Sequence, residues 1–329
     1  MTALLSVIIP THRRPQQLPR AISSALHAAP GGDVEVVVVP NGADDSWRLA
    51  AEKFRHDPRI KWSYLPQGNA CAARNHGLSI SKSKYVRFLD DDDDLYPAAA
   101  RQLELLDSAG ADVATAPLEN IFPSRRPPAV AHLPRTQDFT SCALLSSGIN
   151  VTEGSVVLRS ALGECRWPED AVLYDDYIWM LRVAENGERD WCRTEEPVGA
   201  YVHHFHARLS YARRTARNSH QIVEAIIGLH NRLRAESRCT PERRHAVATA
   251  LLTHAHSAFP ACPFYLSGVI QLARRLDQEA MPSHSAFRHH PWLAKHLLML
   301  EWAALAPRHL SRGLRRASWS IRGLLPAAE

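Results

Sequence analysis

Three short apolar runs limit what the chain can fold into. Leu4 to Pro10 (LLSVIIP) and Val34 to Val39 (VEVVVV) are rich in β-branched residues, Tyr85 to Leu89 (YVRFL) mixes aromatic and aliphatic ones, and each stops at a proline or a polar residue. Runs of this length read as strands buried on both faces, the habit of a parallel sheet. The segments between them are helical in pattern. Pro15 suits a first helical turn, and Leu18, Ile22, Ala25 and Leu26 form its apolar stripe. A second helical segment carries Trp47, Leu49, Ala50 and Phe54, and a short strand follows at Ile60 to Leu65. The loop Pro66-Gln67-Gly68-Asn69 then opens a helix through Ala72, Ala73, Asn75 and Leu78. A helix at Ala98 to Ala109 and a strand near Asp112 to Pro117 continue the alternation, which predicts an α/β fold with a mostly parallel sheet and right-handed crossovers. Ligands of such sheets sit beyond the carboxyl ends of the strands, where Thr11, Asn41 and a run of aspartates all fall.

That run is Asp90 to Asp94, in FLDDDDDLYP. Like charges at this density repel unless a cation sits among them, and hard divalent ions prefer carboxylate oxygens. In an extended segment residues i and i+2 point the same way, so Asp90 and Asp92 converge on one ion while Asp91 faces elsewhere. A solvated acidic loop is the alternative. The apolar strand directly before the run favours the metal site, because acidic tails lie in polar surroundings.

Residues 118–150 contain prolines at 123, 127, 128 and 134 and read as an irregular loop or flap. Strand character resumes at Ser155 to Leu158. Tyr174-Asp175-Asp176-Tyr177 then opens a helix with the stripe Tyr174, Tyr177, Ile178, Leu181 and Ala184, stopped by Asn186-Gly187. Asp175 and Asp176 either cap that helix or form a catalytic pair. In YVHHFHARLS, His203, His204 and His206 are a surface cluster unless one of them completes the coordination of the metal, and Arg208 is placed to meet a phosphate.

Charge divides the chain. Of a formal net charge of +5, residues 207–329 carry +11, with 18 Lys+Arg against 7 Asp+Glu, which leaves −6 in front. An acidic front half suits a metal site, and a basic rear half suits an anionic partner. From about Ser210 the pattern is helical and arginine-rich. Pro291 to Leu325 combines Leu and Trp with six Lys+Arg against one Glu, which suits either a helix lying on an anionic membrane or a packed helix with a basic face. The arginines do not alternate with aromatics as in a nucleic-acid module, so no nucleic-acid partner is expected. Six cysteines without ligand spacing, no basic leader and no apolar run of about 20 residues predict a cytoplasmic protein, soluble or peripheral at the inner face of the membrane.

With these residues laid out, about the first 210 positions resemble the family 2 glycosyltransferases of GT-A fold. The matching pieces are SVIIPTHRRP, VVVVPNG, GNACAARNHG, FLDDDDDLYP and YDDYIWMLRVAENG, in that order. The resemblance implies a catalytic domain over 1–210 and a helical region over 211–329. It also implies transfer of a sugar, with inversion, from a nucleotide-sugar donor to a glycan, lipid-linked or protein hydroxyl, assisted by Mn²⁺ or Mg²⁺. The family's Asp-x-Asp falls on Asp90 and Asp92, with His206 as a further metal ligand; Asp91 with Asp93 is the alternative register. Its acidic pair falls on Asp175 and Asp176, with Asp176 as the base. The donor side comprises Pro10, Thr11, His12, Arg13, Asn41, Arg74, Asp90, Asp91 and Arg208. Two features depart from the family: His12-Arg13 stand where Tyr-Asn is common, and Pro40-Asn41 replace two aspartates, the second of which reads the nucleotide base. Asn41 offers hydrogen bonds but no carboxylate.

Two other readings compete. One is a non-catalytic module that binds nucleotide or glycan on the same sheet. The other is a nucleotidyltransferase, which normally needs a glycine-rich loop after the first strand, and THRRPQQ contains no glycine.

Overall fold

The structure is a computed structural model that describes residues 3–122, 127–145, 152–171, 173–203 and 215–308. The chain divides into two compact units, Met1–Ala212 and Arg213–Glu329.

The first unit runs β1 (Leu5–Thr11), α1 (Leu18–Ala25), β2 (Val34–Pro40), α2 (Arg48–Lys53), β3 (Ile60–Trp62), α3 (Ala70–Ile80) and β4 (Tyr85–Phe88). It continues with β5 (Asp94–Leu95), α4 (Ala98–Ala109), β6 (Val113–Thr115), β7 (Leu118–Ile121), β8 (Ala129–Ala131), α5 (Phe139–Leu145), β9 (Ser155–Leu158), α6 (Arg159–Leu162), α7 (Asp175–Glu185), β10 (Trp191–Arg193) and β11 (Gly199–Val202). Seven strands form one sheet in the order β10-β6-β9-β4-β1-β2-β3. All its pairs are parallel except those of β9, which runs antiparallel to both β4 and β6. The mostly parallel α/β architecture expected from the apolar runs is therefore present. Every residue of β1 and β2 is buried, as continuous apolar strands require when helices cover both faces. Each such Val, Ile or Leu contributes about 1.5–3 kcal/mol relative to an exposed side chain.

After β3 the chain crosses back over β1 to form β4 on its other side, so the order reverses beside β1. The carboxyl ends of β1, β2 and β4 meet there, which is where an open α/β sheet binds its ligands. Helix α3 reaches this edge because Gly77 lets it lie against β1: a Cβ at Gly77 would come within 2.4 Å of Ile8 Cγ2.

The stretch between β6 and β9 departs from the irregular flap expected of it. β7 and β8 pair antiparallel, β7 runs parallel to β11, and α5 follows. With β5 they make a second, four-stranded sheet in the order β5-β11-β7-β8. Pairing across the fold, rather than local propensity, makes strands of segments as undistinguished as Ala129–Ala131.

The second unit is helical: α8 (Ala216–Ala235), α9 (Pro241–Ala258), α10 (Pro263–Leu276), α11 (Ser285–His289), α12 (Trp292–Lys295) and α13 (Leu297–Ala303). Thr215 and Thr240 cap α8 and α9 by accepting from the amides of Asn218 and Arg243. Ile222, Val223, Ile226, Leu229 and Leu233 give α8 its buried stripe. Among the described residues no helix is long and apolar enough to cross a membrane.

Candidate active site

Three carboxylates gather where β4 ends. One ligand atom each from Asp90, Asp92 and Asp93 lies within 4.8 Å of the others. The convergence does not come from an extended backbone. The chain turns here, with the Asp93 amide donating to Asp90 O at 3.2 Å, and the turn brings in Asp93 beside Asp90 and Asp92. Asp91 faces β1: its carboxylate accepts from the Thr11 hydroxyl and from the His12 amide at 3.3 Å. The β1–β4 register explains this, since Ile8 pairs with Phe88 and Thr11 and Asp91 lie three residues beyond each.

The donor set fits a hard divalent cation. It is made of carboxylate oxygens, and Asp93 Oδ2 is buried with no hydrogen-bond partner, while Oδ1 accepts from the Val202 amide at 2.6 Å. Behind it lies Glu153, fully buried in the short 3₁₀ turn Thr152–Gly154, and neither of its carboxyl oxygens meets a donor group. Asp93 and Glu153 hydrogen-bond to each other when one of them carries a proton. Burial, with Asp90 nearby, pushes Glu153 up to about 8. Burial, with Glu153, Asp92 and Asp90 around it, raises Asp93 well above the usual carboxylate range. Burial raises Asp90 too, against the pull of Arg74; the side chain keeps 31% exposure, so solvent moderates the effect. Asp91 is pushed up to about 7 by burial, with the Thr11 hydrogen bond pulling the other way. Arg74 reaches Asp90 and Arg14 lies 3.6 Å from Asp92, and a cation among the carboxylates would add to that compensation.

Arg74, on α3, ties this cluster to α7. Its Nη2 donates to Asp90 Oδ1 at 2.7 Å and its Nη1 to Asp175 Oδ2 at 2.9 Å. The guanidinium is 6% exposed and lies 4.3 Å from the Trp167 ring centroid. Burial pulls its pKa down, but the two carboxylates outweigh this and raise it. Cys71, one turn earlier, points its thiol at Asp175 Oδ2 at 3.4 Å, and burial with that carboxylate raises the thiol's pKa far above its ordinary value.

Helix α7 starts abruptly. Tyr174 takes a left-handed backbone with φ 63°, an arrangement rare outside glycine and stored at functional sites more often than elsewhere. It sets Asp175 and Asp176 in the first turn, where the helix dipole favours negative charge. Asp176 Oδ1 accepts from the Tyr177 amide at 2.7 Å. The carboxyl borders a small apolar cavity with Phe88, Trp167, Trp179 and Met180. Trp167 and Trp179 stack at 4.9 Å, and Phe88 meets both edge-on. Burial in this setting, with Asp175 beside it, pushes Asp176 up to about 7.

On the other side of β1, Asn41 is buried, and its side-chain amide donates to Thr11 O at 3.0 Å. His12 Nδ1 lies 2.7 Å from Asn41 O. Pro10 and Thr11 close the buried strand β1, and the exposed Arg13 has φ 56° with its amide donating to Asp44 at 2.6 Å. Arg14 and Arg20 approach the aspartate turn: Arg14 Nη2 is 3.6 Å from Asp92 and Arg20 Nε is 2.8 Å from Asp94. Among the residues singled out from sequence, the structure thus groups Thr11, His12, Asn41, Arg74, Asp90, Asp91, Asp92, Asp175 and Asp176 at one edge of the sheet. His206 and Arg208 lie outside the described residues. Asp93 entered the sequence reading only as the partner of Asp91 in the alternative register, and Glu153 was not singled out, since nothing local signalled it.

Residues 6–165 match the family described as Glycosyl transferase family 2. This segment belongs to that family. The poly(ribitol-phosphate) β-N-acetylglucosaminyltransferase TarP of Staphylococcus aureus is 35% identical over 102 residues, which cover 30% of this chain and 31% of TarP. The succinoglycan biosynthesis protein ExoO of Rhizobium meliloti is 28% identical over 214 residues, 61% of this chain and 60% of ExoO. The chain spans less than two thirds of the length of these relatives. Among solved structures, S. aureus TarS 1–349 superposes with a TM-score of 0.66 at 17% identity, over 94% of this chain and 92% of that one. The likeness shows a GT-A fold. TarS 1–349 has also been solved with UDP-GlcNAc, and that structure matches with a TM-score of 0.59 at 16% identity over 84% of this chain and 88% of that one.

Proposed function

We propose that the first unit transfers a sugar from a nucleotide-sugar donor to a hydroxyl of a glycan, lipid-linked or protein acceptor, with inversion at the anomeric carbon. One observation carries this reading. A single guanidinium, Arg74, touches both Asp90 of the metal-competent cluster and Asp175, the neighbour of the candidate base Asp176, so the leaving-group site and the start of α7 are held one arginine apart.

Asp90 and Asp92, with Asp93, would hold a divalent Mn²⁺ or Mg²⁺. When bound, such an ion supplies positive charge to a diphosphate whose negative charge grows as the glycosidic bond breaks. The protein's own residues do the rest. Asp176, raised to about 7, takes the proton of the acceptor hydroxyl as its oxygen bonds to the anomeric carbon, and the nucleoside diphosphate departs with the bonding electrons. Its apolar, tryptophan-lined setting keeps the carboxyl a usable base near neutral pH. Arg74 positions Asp90 and Asp175, and thereby the start of α7. Pro10, Thr11, His12, Arg13 and Asn41 form the nucleotide side, with Asp91 fixing the end of β1 from below. With no carboxylate after β2, base recognition falls to amide groups and the His12 ring.

The complexes of TarS with UDP-GlcNAc and UDP support a UDP-sugar as the donor, and UDP-GlcNAc is the first to test. The test is UDP release from a panel of UDP-, GDP-, CMP- and dTDP-sugars with Mn²⁺, by wild type and Asp92→Ala. We expect release from one donor class, lost in Asp92→Ala. Donor binding with no release under any condition would leave a binding module instead.

A further inference from the structure

The second unit presents an apolar stripe where a solvated helix would be polar. Trp292, Lys295, Met299 and Trp302 recur at helical spacing along α12 and α13, and Trp292, Met299 and Trp302 are 62%, 63% and 39% exposed. Helix α10 adds to it. Phe264 is 83% exposed and meets the Trp302 ring edge-on at 5.3 Å, and Trp302 Nε1 donates to Ser267 Oγ at 3.1 Å. At the other end of α10, Arg274 donates to Ala294 O, so α10 and the α12–α13 pair run antiparallel. Gly268, Gln271 and Arg275 continue the Phe264 side of α10 at helical spacing, and all three are exposed.

The charge around this face is one-sided. Between Met281 and Arg308 the sole acid is Glu301, which is 3% exposed and already paired with both Arg308 and His256. Arg288 and Lys295 are exposed, as are His289, His290 and His296. The sequence beyond carries Arg312, Arg315, Arg316 and Arg322 and no acid before Glu329. At the end of α10, Asp277 is taken up by His245 and Glu279 is exposed, so the basic excess lies along α12 and α13. Large aromatics flanked by lysine and arginine match the boundary between headgroups and acyl chains of an anionic bilayer.

We infer that the α10 and α12–α13 face is a docking surface for anionic lipid membranes. Phe264, Trp292, Met299 and Trp302 enter the headgroup boundary, and Lys295 and Arg275 meet lipid phosphates. The inference goes beyond the proposed activity and is independent of it, because none of these residues belongs to the active site.

The test is co-sedimentation of the full chain with vesicles of phosphatidylcholine alone and of phosphatidylcholine with 30% phosphatidylglycerol, at low and high salt. Wild type should partition onto the anionic vesicles at low salt, and each basic residue at the surface should be worth about fivefold in partitioning. Phe264→Ser with Met299→Ser should lower partitioning at least tenfold, and Lys295→Glu about fivefold or more, with unchanged thermal unfolding and unchanged donor turnover. Wild-type protein that ignores anionic vesicles, or variants that bind them as wild type does, would overturn the proposal. So would a concentration-dependent dimer abolished by the Phe264/Met299 pair of changes, since that face would then belong to a second copy.

Discussion

Replacing Arg74 with alanine removes a side chain that joins the aspartate turn to α7. Arg74 makes two charge-assisted hydrogen bonds, at 2.7 and 2.9 Å, and its side chain is 6% exposed. Deleting one partner of a buried ion pair costs about 3–5 kcal/mol, because the remaining charges lose compensation that water cannot replace. Loss of the guanidinium over Trp167 adds about 0.5–1 kcal/mol. Protonation offers a way out: Asp90, whose pKa already lies above the usual carboxylate range, can neutralise itself once Arg74 stops pulling it down. The deficit should therefore be largest near pH 8 and shrink towards pH 5. Urea unfolding followed by tryptophan fluorescence reports it, since Trp167 and Trp179 lie beside the bridge. At about 2–4 °C per kcal/mol for a unit of this size, the melting temperature should fall by roughly 7–24 °C. Arg74→Lys keeps the charge but not the two-armed reach and should fall between. A loss below about 1 kcal/mol for Arg74→Ala, the same at both pH values, would refute the bridging role.

Asp176→Asn should lower kcat by about 10²–10⁴-fold with little change in donor KM, and the wild-type rate should rise with pH through about 7 as Asp176 loses its proton; a profile flat from pH 5 to 8 would count against it. Gly77→Ala places a methyl group 2.4 Å from Ile8 Cγ2 and should cost about 1–3 kcal/mol in thermal unfolding, with α3 pushed from β1. Glu153 ionises near 4.5 in the unfolded chain but near 8 in the folded one, so the folded state binds more protons between these values and stability falls as pH rises across them. Glu153→Gln should flatten that fall, measured as unfolding free energy against pH without added metal.

Much of the sheet was legible because strands such as VVVVP and SVIIP can be buried only between two layers of helices. The site edge followed from where those strands stop. The geometry of the aspartates was not legible in full: an extended reading pairs Asp90 with Asp92, while the turn closed by the Asp93 amide also brings in Asp93. Glu153 had no local signal, since a glutamate in TEG reads as solvated; it is buried because β9 enters the sheet antiparallel between β4 and β6 and carries the preceding turn inside. The stacking of Trp167 on Trp179 is likewise a product of tertiary packing, with the two residues lying on separate segments. On the surface of the second unit, composition marked Pro291 to Leu325 as apolar and basic, while the meeting of Phe264 from α10 with Trp302 required the antiparallel pairing of the helices.

The central claim is that the Asp90, Asp92 and Asp93 carboxylates hold a divalent cation that serves the donor diphosphate. Titration of Mn²⁺ into the full chain with UDP present, read by the loss of the free-ion paramagnetic resonance signal, tests it most directly. The account predicts one site per chain, weakened at least tenfold in Asp92→Asn while the variant stays folded. An identical Mn²⁺ titration for wild type and Asp92→Asn, or no binding by either, would contradict it.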